Sequence, residues 1–182
     1  MEPSELRQRI EKAKTALLNA LLPEGAKAGA DFSALVEDRI VTKGERSDGG
    51  KFSSYSTKPV PAYFYFGRSR NASGERQVRA AAKNKQGVSY RDFRTFNGLN
   101  TGFKNFQFTG EMWQNFGVRN VQVIGKGLVR IEIGGKNDRS KKLLGYHSDR
   151  ENSNLSEPSQ NEIKLVVDGI RERLTQIIQR EL

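Results

Sequence analysis

The 182-residue sequence contains no cysteine and a single histidine. Without cysteine there is no disulfide, no thiolate nucleophile and no cysteine-ligated metal. Any triad or histidine metal site would have to be built around His147 alone. His147 falls in Tyr146-His147-Ser148-Asp149-Arg150, which reads as a loop, so it is taken as a structural or surface histidine. No apolar run approaches the ~18–20 residues that a membrane-spanning helix needs. The first residues, Met-Glu-Pro-Ser-Glu-Leu-Arg, lack the basic and apolar regions of a secretory leader. A cytosolic chain is therefore expected, or one belonging to a particle assembled in the cytosol, with no membrane contact.

Recognisable catalytic patterns are also missing. Gly125-x-Gly127 lacks the third glycine and the following helix of a phosphate loop. There is no Gly-x-Ser-x-Gly elbow and no Walker lysine. Glu45, Asp48, Glu75 and Asp92 are scattered without metal-ligand spacing. Glu162-Ile163-Lys164 mimics part of a nuclease signature, but Glu162 occupies a helix-capping position. The expectation is a non-enzyme with no cofactor, no metal and no catalytic residue.

What the sequence does have is positive charge, with 31 Lys+Arg against 21 Asp+Glu and a net charge of +10. Residues 39–104 hold 14 basic and 4 acidic residues, a net +10, while residues 1–38 carry −2 and residues 105–182 carry +2. A field that localised attracts a polyanion or an acidic protein face. Arg68, Arg70, Arg76, Arg79, Lys83 and Lys85 lie within residues 67–88, which show no apolar periodicity. The segment reads as an extended basic loop, with at most one helical turn around Gln77–Lys83. Its few apolar residues cannot offset an ordering cost of about 1–2 kcal/mol per residue. Mobility in the free protein is expected, with ordering against DNA backbone or an acidic neighbour.

Hydrophobic spacing predicts the remaining elements. Leu6, Ile10, Ala13, Leu17 and Leu21 mark an amphipathic helix over 5–22, stopped by Pro23 and Gly25. A shorter helix is predicted from Asp31 as N-cap. Val60–Phe66 reads as an edge strand. Val121 and Val123, then Val129, Ile131 and Ile133, alternate with polar residues around Gly125-Lys126-Gly127, a hairpin over 118–133 with those five side chains facing the core. Ser159 and Glu162 form a capping box that starts a C-terminal helix over 159–181. Eight of the 16 aromatic residues lie between Tyr90 and Phe116, an arrangement suited to a core or subunit interface and less so to an exposed base-stacking platform. The fold expected is α+β: a single domain over 1–182, with an antiparallel sheet containing the hairpin packed against the N- and C-terminal helices.

Two segments resemble signatures of tailed-phage morphogenesis proteins. One is Lys43-Gly44-Glu45-Arg46-Ser47-Asp48-Gly49-Gly50-Lys51-Phe52-Ser53-Ser54-Tyr55-Ser56. The other is Ser89-Tyr90-Arg91-Asp92-Phe93-Arg94-Thr95-Phe96-Asn97-Gly98-Leu99, followed by Phe108-Thr109-Gly110-Glu111-Met112-Trp113. With the hairpin, Pro-Ser-x-x-Glu and the final helix in that order, residues 30–180 resemble the virion-morphogenesis, tail-completion (neck) family; residues 67–88 lie outside the pattern. The resemblance implies a small α+β subunit of a ring at the head–tail junction of the virion, assembled in the host bacterial cytoplasm, in six or twelve copies. Its partners would be portal-side or tail-side ring proteins, with backbone contact to channel DNA. The alternative from composition alone is a stand-alone nucleic-acid-binding protein that uses the basic middle third.

Overall fold

One helix, α1, runs from Pro3 to Asp38 with Pro23 inside it. It replaces the two helices expected on either side of Pro23, and Asp31 lies in its interior and caps nothing. This is seen in a computed structural model that describes residues 2–125 and 127–181. An interior proline costs a helix about 3 kcal/mol, and the packing that follows Pro23 offsets it. A Cβ built on Gly25 would lie 2.8 Å from Val129 Cγ1 and 2.9 Å from Val121 Cγ1. One on Gly29 would lie 2.7 Å from Val118 Cγ2 and 2.9 Å from Ile131 Cγ2. Gly25 is therefore where the helix backbone meets the hairpin, and it ends nothing.

The hairpin consists of β3 (Phe116–Val123) and β4 (Val129–Gly135), slightly longer than the expected 118–133. Val121 pairs with Ile131 and Val123 with Val129, and the Ile124 N–H donates to the Leu128 carbonyl at 2.7 Å. Lys126, in the turn, lies outside the described residues. The register slips between Val118 and Asn120. That bulge turns Val118 onto the face of Val121, although they are three residues apart, so both reach α1. Four of the five expected core positions are half-buried, but Val123, near the tip, is 42% exposed.

Alongside α1 packs α6 (Gln160–Glu181), entered through Ser159. The Ser159 N–H donates to Glu162 Oε2 at 2.6 Å, and the Glu162 N–H donates to Ser159 Oγ at 3.3 Å. The capping box is present, and the same carboxylate accepts from buried Arg39. Glu24 joins the two helices through Arg173.

The buried side chains form two clusters. The larger holds Val36, Ile40, Trp113, Phe116, Leu144 and Leu155 among others. It includes α4 (Glu111–Gln114) and α5 (Asp138–Glu151). His147 lies on α5, correcting its assignment to a loop. The polar helix starts because the Asn137 side chain accepts the Ser140 N–H at 2.7 Å, a cap that apolar spacing does not reveal.

The smaller cluster is Ala62, Val78, Ala81, Val88 and Phe93. It is built from β1 (Pro59–Pro61), a 3-10 turn (Ala62–Tyr65), α2 (Ala72–Lys83), β2 (Gly87–Ser89) and α3 (Tyr90–Phe96). Val60–Phe66 is thus a strand only at its start. Pro59 and Pro61 lack the N–H groups that a longer ladder needs. Residues 67–88 are likewise no extended loop. Asn71 caps α2 by accepting the Gly74 N–H at 2.7 Å, and the helix buries a narrow face of Gly74, Val78 and Ala81. Aromatic rings outside the segment supply the rest of that core. Phe93 stacks between Tyr65 and Phe108 at centroid distances of 4.4 and 5.6 Å.

Arg94, 1% exposed, pins the two clusters together. It donates to the Asn100 and Gln107 carbonyls and to Asn105 Oδ1, and its guanidinium lies 4.0 Å over the Tyr55 ring. Trp113 Nε1 donates to the Asn105 carbonyl at 3.1 Å.

Candidate assembly and polyanion surfaces

Folding α2 rearranges the six basic residues singled out in the sequence. Arg76, Arg79 and Lys83 fall at i, i+3 and i+7, one stripe of the helix, opposite Gly74, Val78 and Ala81. Arg68 and Arg70 lie on the turn entering α2, and Lys85 on the turn leaving it, with φ of +56°. All six are exposed. A 12-residue helix is about 18 Å long, so the charges form a ridge of that order. Among the described residues only Arg79 of the six has a carboxylate partner, Glu75 at 2.8 Å, an exposed i,i+4 bridge of small energy. The backbone below is tied down: the Arg70 N–H donates to Asn97 Oδ1 at 2.6 Å, and the Gly67 N–H to Glu75 Oε2 at 3.1 Å.

Beside the ridge lies a feature that the strand reading concealed. Tyr63 and Phe64 are 60% and 51% exposed and stack on each other at 4.8 Å. Phe66 carries the Arg79 guanidinium 4.9 Å above its ring. Strand alternation would have faced two of the four rings from Tyr63 to Phe66 inward; the 3-10 turn and the residue after it leave three exposed. The aromatic rings from Tyr90 to Phe116, by contrast, contribute Phe93, Trp113 and Phe116 to the two cores.

The second surface is apolar and lies at the far end of α1. Ile10, Leu17, Leu18 and Leu21 line a groove with Leu174 and Ile178 of α6. Leu6, Leu18 and Leu22 are about half exposed around it, and at the hairpin tip Leu128 is 65% exposed. The sequence carried a signal for this. Leu18 and Leu22 widen the α1 stripe beyond what one partner helix covers.

Among the described residues, no three His, Asp or Glu side chains are grouped to hold a metal ion, and no helix is long and apolar enough to cross a membrane. No family model, no curated protein and no solved structure matches the chain.

Proposed function

We propose that the chain is a structural subunit of a tailed-phage virion, one copy of a ring in the neck that connects head to tail around the DNA channel. The observation that supports this most is the apolar end formed by α1, α6 and the hairpin tip. Exposed apolar side chains gathered around one groove, unlike single scattered ones, mark contact sites. A joint around a channel needs closed symmetry with heterologous contacts. The motif order resembling neck proteins points the same way, and on that resemblance the copy number is six or twelve. The exposed ridge of Arg68, Arg70, Arg76, Arg79, Lys83 and Lys85 would then meet an acidic face of a portal-side or tail-side ring protein, or the backbone of channel DNA.

The test is a particle map together with a joining assay. The density expected is a closed ring at the head–tail junction; isolated copies decorating the capsid surface would overturn the reading. Ile10→Glu with Leu18→Glu should abolish joined particles while leaving the melting temperature of the free subunit unchanged. Replacing Arg68, Arg70, Arg76 and Arg79 with Gln should also block joining.

A second reading, a stand-alone nucleic-acid binder, draws on the ridge and the exposed rings of Tyr63, Phe64 and Phe66. Basic tracks with aromatic platforms hold single strands. Six phosphate contacts would give a log–log salt slope of about −5 on duplex DNA. A shallow slope and weak binding by the free subunit favour the ring.

A further inference from the structure

Between the two buried clusters lies a cleft of about 330 Å³ that shares no lining residue with the apolar groove. The smaller cluster's side contributes Tyr90 and Phe108; α5 contributes Tyr146 and His147, whose imidazole lies 4.9 Å from Phe106. The walls are thus largely aromatic, a surface that takes a flat ring edge-on or stacked.

The charged groups around it are unequally committed. Arg94 is spent on two carbonyls and Asn105. Lys104 is paired with Glu151 at 2.8 Å, both largely buried. Arg150 lines the cleft with no carboxylate partner among the described residues; its guanidinium donates to Tyr146 Oη at 3.5 Å. An aromatic slot with one uncommitted guanidinium at its edge is complementary to a ring bearing an anion.

We propose that this cleft binds an aromatic ring carrying a carboxylate. Two sources share that chemistry: a partner chain ending in an aromatic residue, and a small arylalkanoic acid. The ring lies among Tyr90, Phe108 and Tyr146, and the carboxylate meets Arg150 beside His147. Burial, followed by the charge of Arg150, holds the His147 imidazole below its ordinary pKa; Glu151 acts in the opposite sense and Lys104 in the same sense. A bound carboxylate favours the imidazolium and raises that pKa.

His147 is the only histidine, so its ring protons give a single resolvable NMR reporter. The full chain is titrated with N-acetylphenylalanine, N-acetylphenylalaninamide and 3-phenylpropionate to about 20 mM, a range that detects millimolar affinity. N-acetylphenylalanine should shift the His147 resonance saturably and raise its titration midpoint. The neutral amide should bind at least about tenfold more weakly, and Arg150→Gln should weaken the acid by a similar factor while leaving the melting temperature unchanged. Tyr146→Ala, a change at an exposed ring, should also weaken binding. Tighter binding of N-acetylphenylalanine than of 3-phenylpropionate assigns the site to chain ends, and the reverse to small acids; either supports the shared chemistry. No shift of His147, equal binding of acid and amide, or indifference to Arg150→Gln would each overturn it.

Discussion

Arg39 and Glu162 meet at 2.8 Å although 123 residues separate them, and both side chains are less than one-tenth exposed. Arg39 also donates to the Glu45 and Glu157 carbonyls. One side chain thereby fixes the exit of α1, the Gly-rich turn and the entry to α6. Removing one member of such a pair leaves a buried charge without its partner, at about 3–5 kcal/mol. Arg39→Met should lower unfolding free energy by about that amount in a denaturant titration. Glu162→Gln should cost less, because an amide oxygen still accepts the Ser159 N–H. The double variant should recover part of the Arg39→Met loss. Equal losses for the two single changes would contradict this ranking.

Gly29→Ala sets two effects against each other. Alanine is worth about 1 kcal/mol over glycine in a helix. Here its Cβ would press on the branched methyls of Val118 and Ile131, which are stiff at χ1. Overpacking of this kind costs about 1–3 kcal/mol. The variant should be less stable than the parent, and Val118→Ala should be better tolerated in its background than alone. A higher melting temperature for Gly29→Ala would show that α1 and the hairpin can separate freely.

The hairpin was legible in the sequence because period-2 alternation holds over Val121–Val123 and Val129–Ile133, although not across the bulge at Val118, and the capping box at Ser159 is a local signal. What was missed was non-local. Pro23 and Gly25 read as a stop because, in isolation, they are one. Only the methyls of Val121 and Val129, about a hundred residues away, make glycine the residue that fits there. α2 was hidden because its buried face is one valine, one alanine and one glycine, too small to produce periodicity. The basic residues were identified, but their stripe exists only once that face is fixed. The polar network of Arg94, Asn105 and Tyr55 left no spacing signal, since its members converge from three separate loops and helices.

Arg94→Lys should be costly in spite of its retained charge. An ammonium cannot reproduce the planar fork that reaches Asn100, Asn105 and Gln107 or lie flat on Tyr55. A loss of about 2–4 kcal/mol is expected, from a buried acceptor set left partly unsatisfied. Trp113, the only tryptophan, donates to Asn105, so its emission should change with the same variant. Unaltered emission would separate Trp113 from the network.

Acid should loosen the contact between α1 and α6. The hydrogen bond from Lys27 is the largest influence on Glu24 and holds its carboxyl below the ordinary value; burial opposes it and Arg173 reinforces it. A depressed pKa contributes stability that is present above the unfolded value and lost as pH falls through the folded one. Glu24→Gln should therefore be less stable near neutrality and should show a smaller further loss on acidification. Glu37 behaves oppositely, since burial raises its pKa. Glu37→Gln should be more stable near neutrality, with the gain shrinking in acid. Parallel stability–pH curves for the parent and both variants would refute the assignment.

The smaller buried cluster draws on residues 59–108, a continuous stretch, whereas the larger one needs Val36 and Ile40 to wait for Trp113, Leu144 and Leu155. During synthesis the residues of the smaller cluster are therefore complete before those of the larger one. α1, with Gly25 and Gly29, is synthesised well before the hairpin it packs on, while the basic ridge has its support close by in the chain. Contacts of long sequence separation form late and slowly. A chain paused between Phe108 and Leu155 would carry the basic helix on its own core beside an uncovered apolar rod, and its exposure to aggregation would last as long as the pause.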